Sequence, residues 1–225
     1  MTTAFDILSA IEALPEEPYP SAAGAPLRAS WAGQCARQVS YRVAGVEAEP
    51  YQASSLIAFT VGRALHDLVQ HALSALHPMG HAEEPGALCV HADVGMAHPV
   101  GPLRACEGSD RVVLGGHADF ATEECVWEIK SMQTFAFQKG PAPHHILQAG
   151  LCALALDVPR TELVYVDKAK GNVEVYPFEV QKDALDEAIR LARVITHKEA
   201  PRISPTRMHW QCKYCPFYEH CGQDE

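Results

Sequence analysis

The sequence lacks any apolar stretch approaching the roughly 20 residues that a membrane-spanning helix needs. Its first residues, MTTAFDILSAIEAL, also lack the basic start and apolar run of a signal peptide. We therefore expect a cytosolic protein. Its 225 residues are 48% hydrophobic and 20% charged, which is ordinary for a globular protein, and the length suits one domain with additions.

The chain has no excess of basic residues. Eighteen Lys and Arg stand against 28 Asp and Glu, so the formal net charge is −10. This argues against a protein that coats nucleic acid by bulk charge, although an enzyme with clustered basic residues stays open. Residues 190–213 hold such a cluster, with Glu199 as their single acidic residue. A solvated helix face followed by a loop would explain it equally well.

Cysteine is plentiful, with eight residues. In a reducing compartment these are not expected to form a disulfide framework, and metal ligation or burial is favoured. Four scattered cysteines are interpreted as small buried hydrophobic residues: Cys89, Cys106, Cys125 and Cys152. Cys212, Cys215 and Cys221 lie together near the end of the chain. By spacing alone they could ligate zinc, with His209 or His220 as the fourth ligand.

Periodicity and turn residues predict an α/β fold with a mixed central sheet flanked by helices. Helices are expected over 3–14, over 30–43 with Ser30 as a cap, and over 54–77, and the segment GHAEEPGA is expected to be a loop. Strands are expected at ALCVHADV, RVVLGGHADFA and CVWEIKSM. A helix over 144–157, a hairpin of TELVYVDK and NVEVYPFEV, and an amphipathic helix, QKDALDEAIRLARVITHK, complete the prediction.

The segment GGHADFATEECVWEIKSM carries the chemistry. Glu128 and Lys130 are two residues apart on a predicted strand and therefore share a face, opposite Trp127 and Ile129. If the preceding strand is a hairpin neighbour, Asp119 lies beside Glu128. Two carboxylates there form a hard oxygen site for Mg²⁺ or Mn²⁺. The pattern D…E-x-K alone is common on solvated strands, so it needs support from other motifs.

Four blocks in order resemble the PD-(D/E)xK nuclease superfamily, and within it the RecB-like exonucleases with an iron–sulfur cluster. The CRISPR-associated and AddB-type nucleases share that cluster. The blocks match the family pattern G-x-x-x-H, G-x-x-D, E-x-K and Q-x-x-x-Y over residues 55–155. They are Gly62-Arg-Ala-Leu-His66, Gly116-His-Ala-Asp119, Glu128-Ile-Lys130 and Gln148-Ala-Gly-Leu-Cys152. One departure is Cys152, which stands where the family has tyrosine.

The resemblance implies roles for particular residues. His66, Asp119, Glu128 and the Ile129 carbonyl would be the ligands of Mg²⁺ or Mn²⁺. Lys130 would be the catalytic lysine, positioned by Gln148. The implied reaction is metal-assisted hydrolysis of a phosphodiester bond. The substitution at Cys152 puts in doubt an auxiliary contact and leaves the metal centre untouched.

The resemblance also implies a fourth ligand for the terminal cysteines. Cys35, in SWAGQCARQVSYR, lies where iron–sulfur members of the family have an N-terminal cysteine, and Pro216 follows the second cysteine of the tail as in the family. Cys35, Cys212, Cys215 and Cys221 would then bind a structural [4Fe–4S] cluster that joins the two ends of the chain. Zinc in the same four cysteines is the alternative.

These expectations define three regions: an N-terminal helical region over 1–53, a nuclease core over 54–200 and a cysteine-rich tail over 201–225. The family implies an exonuclease acting on single-stranded or frayed DNA ends, with a possible protein partner in recombination, phage or CRISPR-adaptation complexes. The alternative is a non-catalytic DNA-binding or assembly subunit with a zinc- or cluster-stabilised tail.

Overall fold

A computed structural model describes residues 26–100, 106, 108–179, 182–204, 206 and 208–223. The helix predicted over 3–14 lies outside these residues. The strands are β1 (Leu27–Arg28), β2 (His81–His91), β3 (Met96–Pro99), β4 (Arg111–Ala121), β5 (Cys125–Met132), β6 (Arg160–Asp167) and β7 (Val173–Glu179). The helices are α1 (Ala36–Val43), α2 (Ala53–Leu76), α3 (Thr134–Phe137), α4 (Pro143–Leu156), α5 (Lys182–Thr196), α6 (Trp210–Lys213) and α7 (Tyr218–Gln223). No helix of the described residues is long and apolar enough to cross a membrane.

The predicted fold class is confirmed: one mixed sheet lies between helices. Its strand order is β3-β2-β4-β5-β6-β7, and the short β1 also pairs with β4. The β5–β6 and β1–β4 pairs are parallel and the others antiparallel. The parallel β5–β6 pair requires a crossover, and α3 and α4 supply it.

The sheet opens between β4 and β5. Strand β4 pairs with β5 only at Phe120 and Ala121, and with β1 further back at Leu114 and Gly115. Between these two contacts β4 and β5 separate. The opening begins at Asp119, the residue next to the last β4–β5 pair.

Helices cover both faces of the sheet. On one face the main core joins α1, α4 and α5 to β2 and β4, through residues such as Val39, Leu151 and Leu191. On the other face Leu73 of α2 packs against Phe120 of β4 and Trp127 of β5. The opening between β4 and β5 is therefore accessible to side chains from both helical layers.

Three parts of the sequence-based prediction were wrong. The segment predicted as a loop before residue 88 is the first half of β2, where Pro85 lies opposite His117 of β4. The helix predicted over 30–43 is a 3-10 turn, Ala29–Trp31, followed by α1, because Gly33 takes a left-handed φ of 69° between them.

The third error concerns two of the scattered cysteines. Cys89 and Cys106 form a disulfide, with 5.6 Å between their Cα atoms. They are 17 residues apart in sequence, and their bond is a tertiary contact that spacing alone does not reveal. Cys125 and Cys152 are buried free thiols, as predicted.

Candidate active site and cysteine centre

Asp119 lies where β4 and β5 begin to separate. Phe120 pairs with Trp127, and Asp119 and Glu128 are the residues next to this last pair on the two strands, where their charges interact. Asp119 Oδ2 accepts a hydrogen bond of 2.6 Å from the Ile129 amide, in place of a regular backbone ladder. His66 of α2 approaches the same oxygen, with 3.6 Å between Nδ1 and Oδ2.

Glu128 is fully buried, and its two carboxylate oxygens have different surroundings. Oε1 accepts hydrogen bonds from Lys130 Nζ at 2.5 Å and from Gln148 Nε2 at 2.7 Å. Oε2 is buried and has no hydrogen-bond partner among the described residues. A buried oxygen without a partner is costly, and a cation or a proton would remove that cost.

The charges at this site perturb one another. Burial, with repulsion from Asp119, raises the pKa of Glu128 to about 7, against the opposing effect of Lys130. Burial alone would lower the pKa of Lys130, but attraction from Glu128 and Asp119 outweighs it and raises that pKa. The pKa of His66 is also raised, because its hydrogen bond and charge attraction to Asp119 outweigh burial. Two carboxylates and two cationic groups therefore form one coupled cluster.

Two helices place side chains at the opening from opposite faces of the sheet. Gly62 lies one turn before His66 in α2, and a Cβ at this position would be 3.2 Å from Ser131 Oγ of β5. This close approach of the helix to the strand brings His66 to Asp119. Gln148 reaches Glu128 from α4 on the other face.

The structure adds two pairs of residues that the motifs did not single out, and the first pair is Gln70 and Glu83. Gln70, one turn after His66, donates hydrogen bonds of 2.8 Å to the Asp119 carbonyl and to Glu83 Oε1. It thereby fixes the end of β4 beside the site. Its position four residues after His66, on the same helix face, was the available signal.

The other two added residues lie on the Lys130 side of the site. Tyr165 of β6 is opposite Lys130 in the parallel β5–β6 pair. Its hydroxyl contacts His145 Nδ1 at 2.7 Å and accepts from the Ala142 amide at 2.9 Å. No local pattern marks this contact, because it joins two segments through the crossover.

Cys152, the departure from the family pattern, is buried behind the site. Its sulfur lies 3.6 Å from the His117 carbonyl. Burial and the charges of Glu128 and Asp119 raise its thiol pKa well above the usual value, so it is a neutral packing residue.

The structure brings Cys35 together with the three cysteines of the tail. All four line a cavity of about 30 Å³. Burial raises the pKa of the Cys215 thiol, and repulsion from the other three sulfurs adds to this. The two histidines that could have completed a zinc site point to other partners. His209 Nδ1 accepts from the Gln211 amide at 3.3 Å, and the His220 ring packs edge-on against Tyr41.

A third group of potential metal ligands has its ligand atoms closer together than those of the two candidate centres. Among the described residues, the set of His, Cys, Asp or Glu ligand atoms that all lie within 4.8 Å of one another is Cys89, His91 and His98. The ligand atoms of the cysteine quartet, and those of His66, Asp119 and Glu128, are more widely spaced.

The basic cluster over 190–213 is partly engaged within the protein. Arg190 pairs with Glu187 at 2.6 Å and donates to the Gln34 carbonyl. Arg202 donates to the Cys221 carbonyl at 2.7 Å. These two guanidinium groups join the tail and α5 to the rest of the molecule and do not form one solvated face.

The sequence matches no protein-family model and no curated protein. Its fold is similar to that in the crystal structure of SSO0001, with a TM-score of 0.60 and 20% identity over 88% of this chain and 86% of that chain. Two structures of an alkaline exonuclease, LHK-Exo from Laribacter hongkongensis, match more weakly. The first has a TM-score of 0.46 and 16% identity; the second, a complex with dAMP, has 0.47 and 15%, and both cover 77% of this chain and 87% of that chain. At these identities the likeness is one of fold, and SSO0001 shares that fold.

Proposed function

We propose that this chain is a metal-dependent DNA exonuclease that hydrolyses phosphodiester bonds at single-stranded or frayed ends and carries a structural [4Fe–4S] cluster. One observation carries the catalytic part: the buried Glu128 has one carboxylate oxygen without a hydrogen-bond partner, its charge interacts with those of Asp119 and His66, and Lys130 and Gln148 occupy its other oxygen. The exonuclease mode and the preference for ends rest on the family resemblance.

The donor set fits a hard divalent cation. Glu128, Asp119 and the Ile129 carbonyl offer oxygen, which suits Mg²⁺ or Mn²⁺, and His66 adds one nitrogen. Bound there, the cation would polarise the scissile phosphate and lower the pKa of a water molecule. Glu128 must be ionised to act as a ligand, and its raised pKa means that metal binding would release protons near neutral pH.

Lys130 and Gln148 both donate to Glu128 Oε1, and we assign them different roles. The Lys130 side chain is 22% exposed whereas that of Glu128 is fully buried, so the ammonium is the part of this pair that can reach a phosphate. There it would stabilise the negative charge that develops on the phosphate during attack. Gln148 holds Glu128 Oε1 and so fixes the carboxylate that Lys130 also contacts.

The chemistry of the cysteine quartet suits a cluster. Cys35, Cys212, Cys215 and Cys221 all line one cavity, so four sulfurs are available at the same place. Four thiolates are the usual ligand set of a [4Fe–4S] cluster, and zinc in the same four cysteines is the alternative that the metal content distinguishes.

The catalytic test is hydrolysis of end-labelled single- and double-stranded DNA with Mn²⁺ or Mg²⁺. We expect Lys130→Ala and Asp119→Ala to lose at least about 100-fold in rate, and Gln148→Ala less, because it acts through Glu128. Lys170→Ala, an exposed lysine in the β6–β7 turn, is the matched control and should keep wild-type activity. Covalently closed circular single-stranded DNA should resist an exonuclease.

Two results would contradict this proposal. Cleavage that survives both Lys130→Ala and Asp119→Ala would mean that the chemistry lies elsewhere. DNA binding without cleavage under any divalent metal would favour the second candidate, a non-catalytic DNA-binding or assembly subunit. Manganese binding followed by electron paramagnetic resonance gives a readout independent of activity, and Asp119→Ala should weaken it.

The cluster is tested separately. Protein purified anaerobically should be brown and hold about four iron and four sulfide per chain, whereas a zinc site would be colourless. Cys35→Ser should lower the iron content, since Cys35 is the ligand from outside the tail. Iron content unchanged by Cys35→Ser would exclude that ligand.

A further inference from the structure

A third group of metal-ligating side chains lies on the β2–β3 hairpin and shares no residue with the two centres described above. Cys89 of β2 is directly opposite His98 of β3, and His91 is two residues along β2 from Cys89. Alternation therefore puts all three side chains on one face of the hairpin. Their ligand atoms lie within 4.8 Å of one another, and Cys89 Sγ is 3.8 Å from His91 Nε2.

Cys106 supplies a fourth donor at the same place. Its sulfur is bonded to that of Cys89 in the disulfide, so it lies next to one of the three ligand atoms. Tetrahedral zinc with bonds of about 2.0–2.3 Å needs ligand atoms roughly 3.3–3.8 Å apart. The observed spacing meets this with small side-chain rotations.

We propose that the reduced form of this hairpin binds one Zn²⁺ ion through Cys89, His91, His98 and Cys106. Two thiolates and two imidazoles form a soft and borderline donor set, which selects zinc over Mg²⁺ or Mn²⁺. The catalytic site, rich in carboxylate oxygen, has the opposite preference. The two sites would therefore hold different ions in the same chain.

Burial at this site suits a structural metal. Cys89 is 2% exposed, while His91 is partly buried and His98 is exposed on the edge strand. The thiolate side is thus shielded from water, and the histidine side is open for the ion to enter. The bound ion would tie Cys106 to the hairpin at the edge of the sheet, as the disulfide does.

The disulfide and the zinc site are alternative states, because the sulfurs that bond each other cannot both be thiolate ligands. A phosphine opens the disulfide with one water: the phosphine is oxidised to its oxide, and the two sulfurs are reduced to thiols. Zn²⁺ then displaces both thiol protons to solvent. The two states have different metal content, and this makes them easy to distinguish.

The test measures zinc in the full chain after anaerobic purification with a phosphine reductant. We expect one more zinc per chain in the wild type than in Cys106→Ser, by elemental analysis and native mass spectrometry. The readout is the difference in zinc content between these two proteins, so the test is valid whether the tail binds a cluster or a zinc ion of its own. Competition with a chromophoric chelator should show that His98→Ala weakens, by more than about 100-fold, the zinc ion that is absent from Cys106→Ser, because loss of a ligand costs more than loss of an outer-shell partner.

The controls separate ligation from damage to the fold. His98 is exposed on an edge strand, so we expect His98→Ala to keep the fold, and its zinc content remains informative if a cysteine variant does not fold. His81→Ala removes an exposed histidine at the far end of β2 and should bind zinc as the wild type does. Equal zinc content in the wild type, Cys106→Ser and His98→Ala would overturn the proposal, as would wild-type protein that gains no zinc when its disulfide is reduced.

Discussion

At the scale of single residues, the candidate site is defined by which charges are buried together. Glu128 has no solvent contact, yet it shares its surroundings with Asp119, Lys130 and His66. Each charge is tolerable because an opposite one is close, and removal of one partner would leave a buried charge uncompensated. Buried charges of this kind contribute little to the stability of the fold, and their clustering favours the interpretation that the site binds a ligand.

The neighbouring His145 gives a prediction about acid stability. Burial, with repulsion from Lys130 and His144, lowers the pKa of His145 to about 3. The folded state therefore favours the neutral ring: its stabilising effect is complete above about pH 6.5 and is lost as pH falls from there towards 3. One such group contributes a slope of up to about 1.4 kcal/mol per pH unit, less here because the ring is partly exposed. We expect His145→Gln to lose less unfolding free energy than the wild type between about pH 6.5 and pH 5, in urea titrations.

The control for this prediction keeps the histidine and removes its partner. Tyr165→Phe deletes the hydroxyl that contacts His145 Nδ1, so it should lower stability at every pH but retain the acid slope. Identical slopes in the wild type and His145→Gln would show that this ring is not the group that titrates.

At the scale of elements, helices and strands with a sustained apolar periodicity were predicted, and those with weak local signals were missed. Helices α2, α4 and α5 and strands β4 to β7 were predicted near their observed bounds, since each has a sustained apolar pattern. The four-residue β3 and the polar first half of β2 were missed, because pairing with a neighbouring strand defines them. Likewise the proximity of Asp119, Glu128 and Lys130 was predicted from sequence. The Tyr165–His145 contact and the Cys89–Cys106 disulfide were not, because they join segments that only the tertiary structure brings together.

Packing between elements predicts the effect of a single methyl group at Gly116. A Cβ there would lie 2.8 Å from Ala29 Cβ and 3.3 Å from Cys152 Sγ. We expect Gly116→Ala to lower the free energy of unfolding by about 1–3 kcal/mol, as overpacking of a tight core does. The double variant Gly116→Ala with Ala29→Gly should recover part of the loss, measured by urea denaturation.

Gly62→Ala is the matched control for Gly116→Ala. The new methyl group in α2 would be 3.2 Å from Ser131 Oγ, an atom that can rotate away. Helix propensity favours alanine over glycine by up to about 1 kcal/mol, so the net change should be small. Equal losses of unfolding free energy at the two positions would show that the freedom of the neighbouring atom to move does not determine the cost of the added methyl group.

At the scale of the whole molecule, the two ends of the described chain are joined to each other. The Gln211 side chain accepts from the Cys35 amide at 3.1 Å and donates to the Gly33 carbonyl at 2.8 Å. Further along, the Glu49 amide donates to the Pro216 carbonyl at 2.8 Å. The cysteine quartet lies within this joint, so a ligand bound there would cross-link segments far apart in sequence.

Removal of that ligand should therefore open the joint and spare the sheet. By analogy with a covalent cross-link closing a loop of well over a hundred residues, the constraint is worth about 5 kcal/mol, although the hydrogen bonds of the joint remain after its loss. In hydrogen exchange, protein stripped of the proposed cluster should lose protection in α1, α6 and α7, while β4 and β5 keep theirs. Gln211→Ala provides the comparison, because it breaks two bonds of the joint without touching a thiolate: it should loosen the same helices less and retain its iron. Uniform loss of protection across the sheet would mean that the cysteine centre supports the whole fold, and unchanged protection in α1 would mean that the joint holds without it.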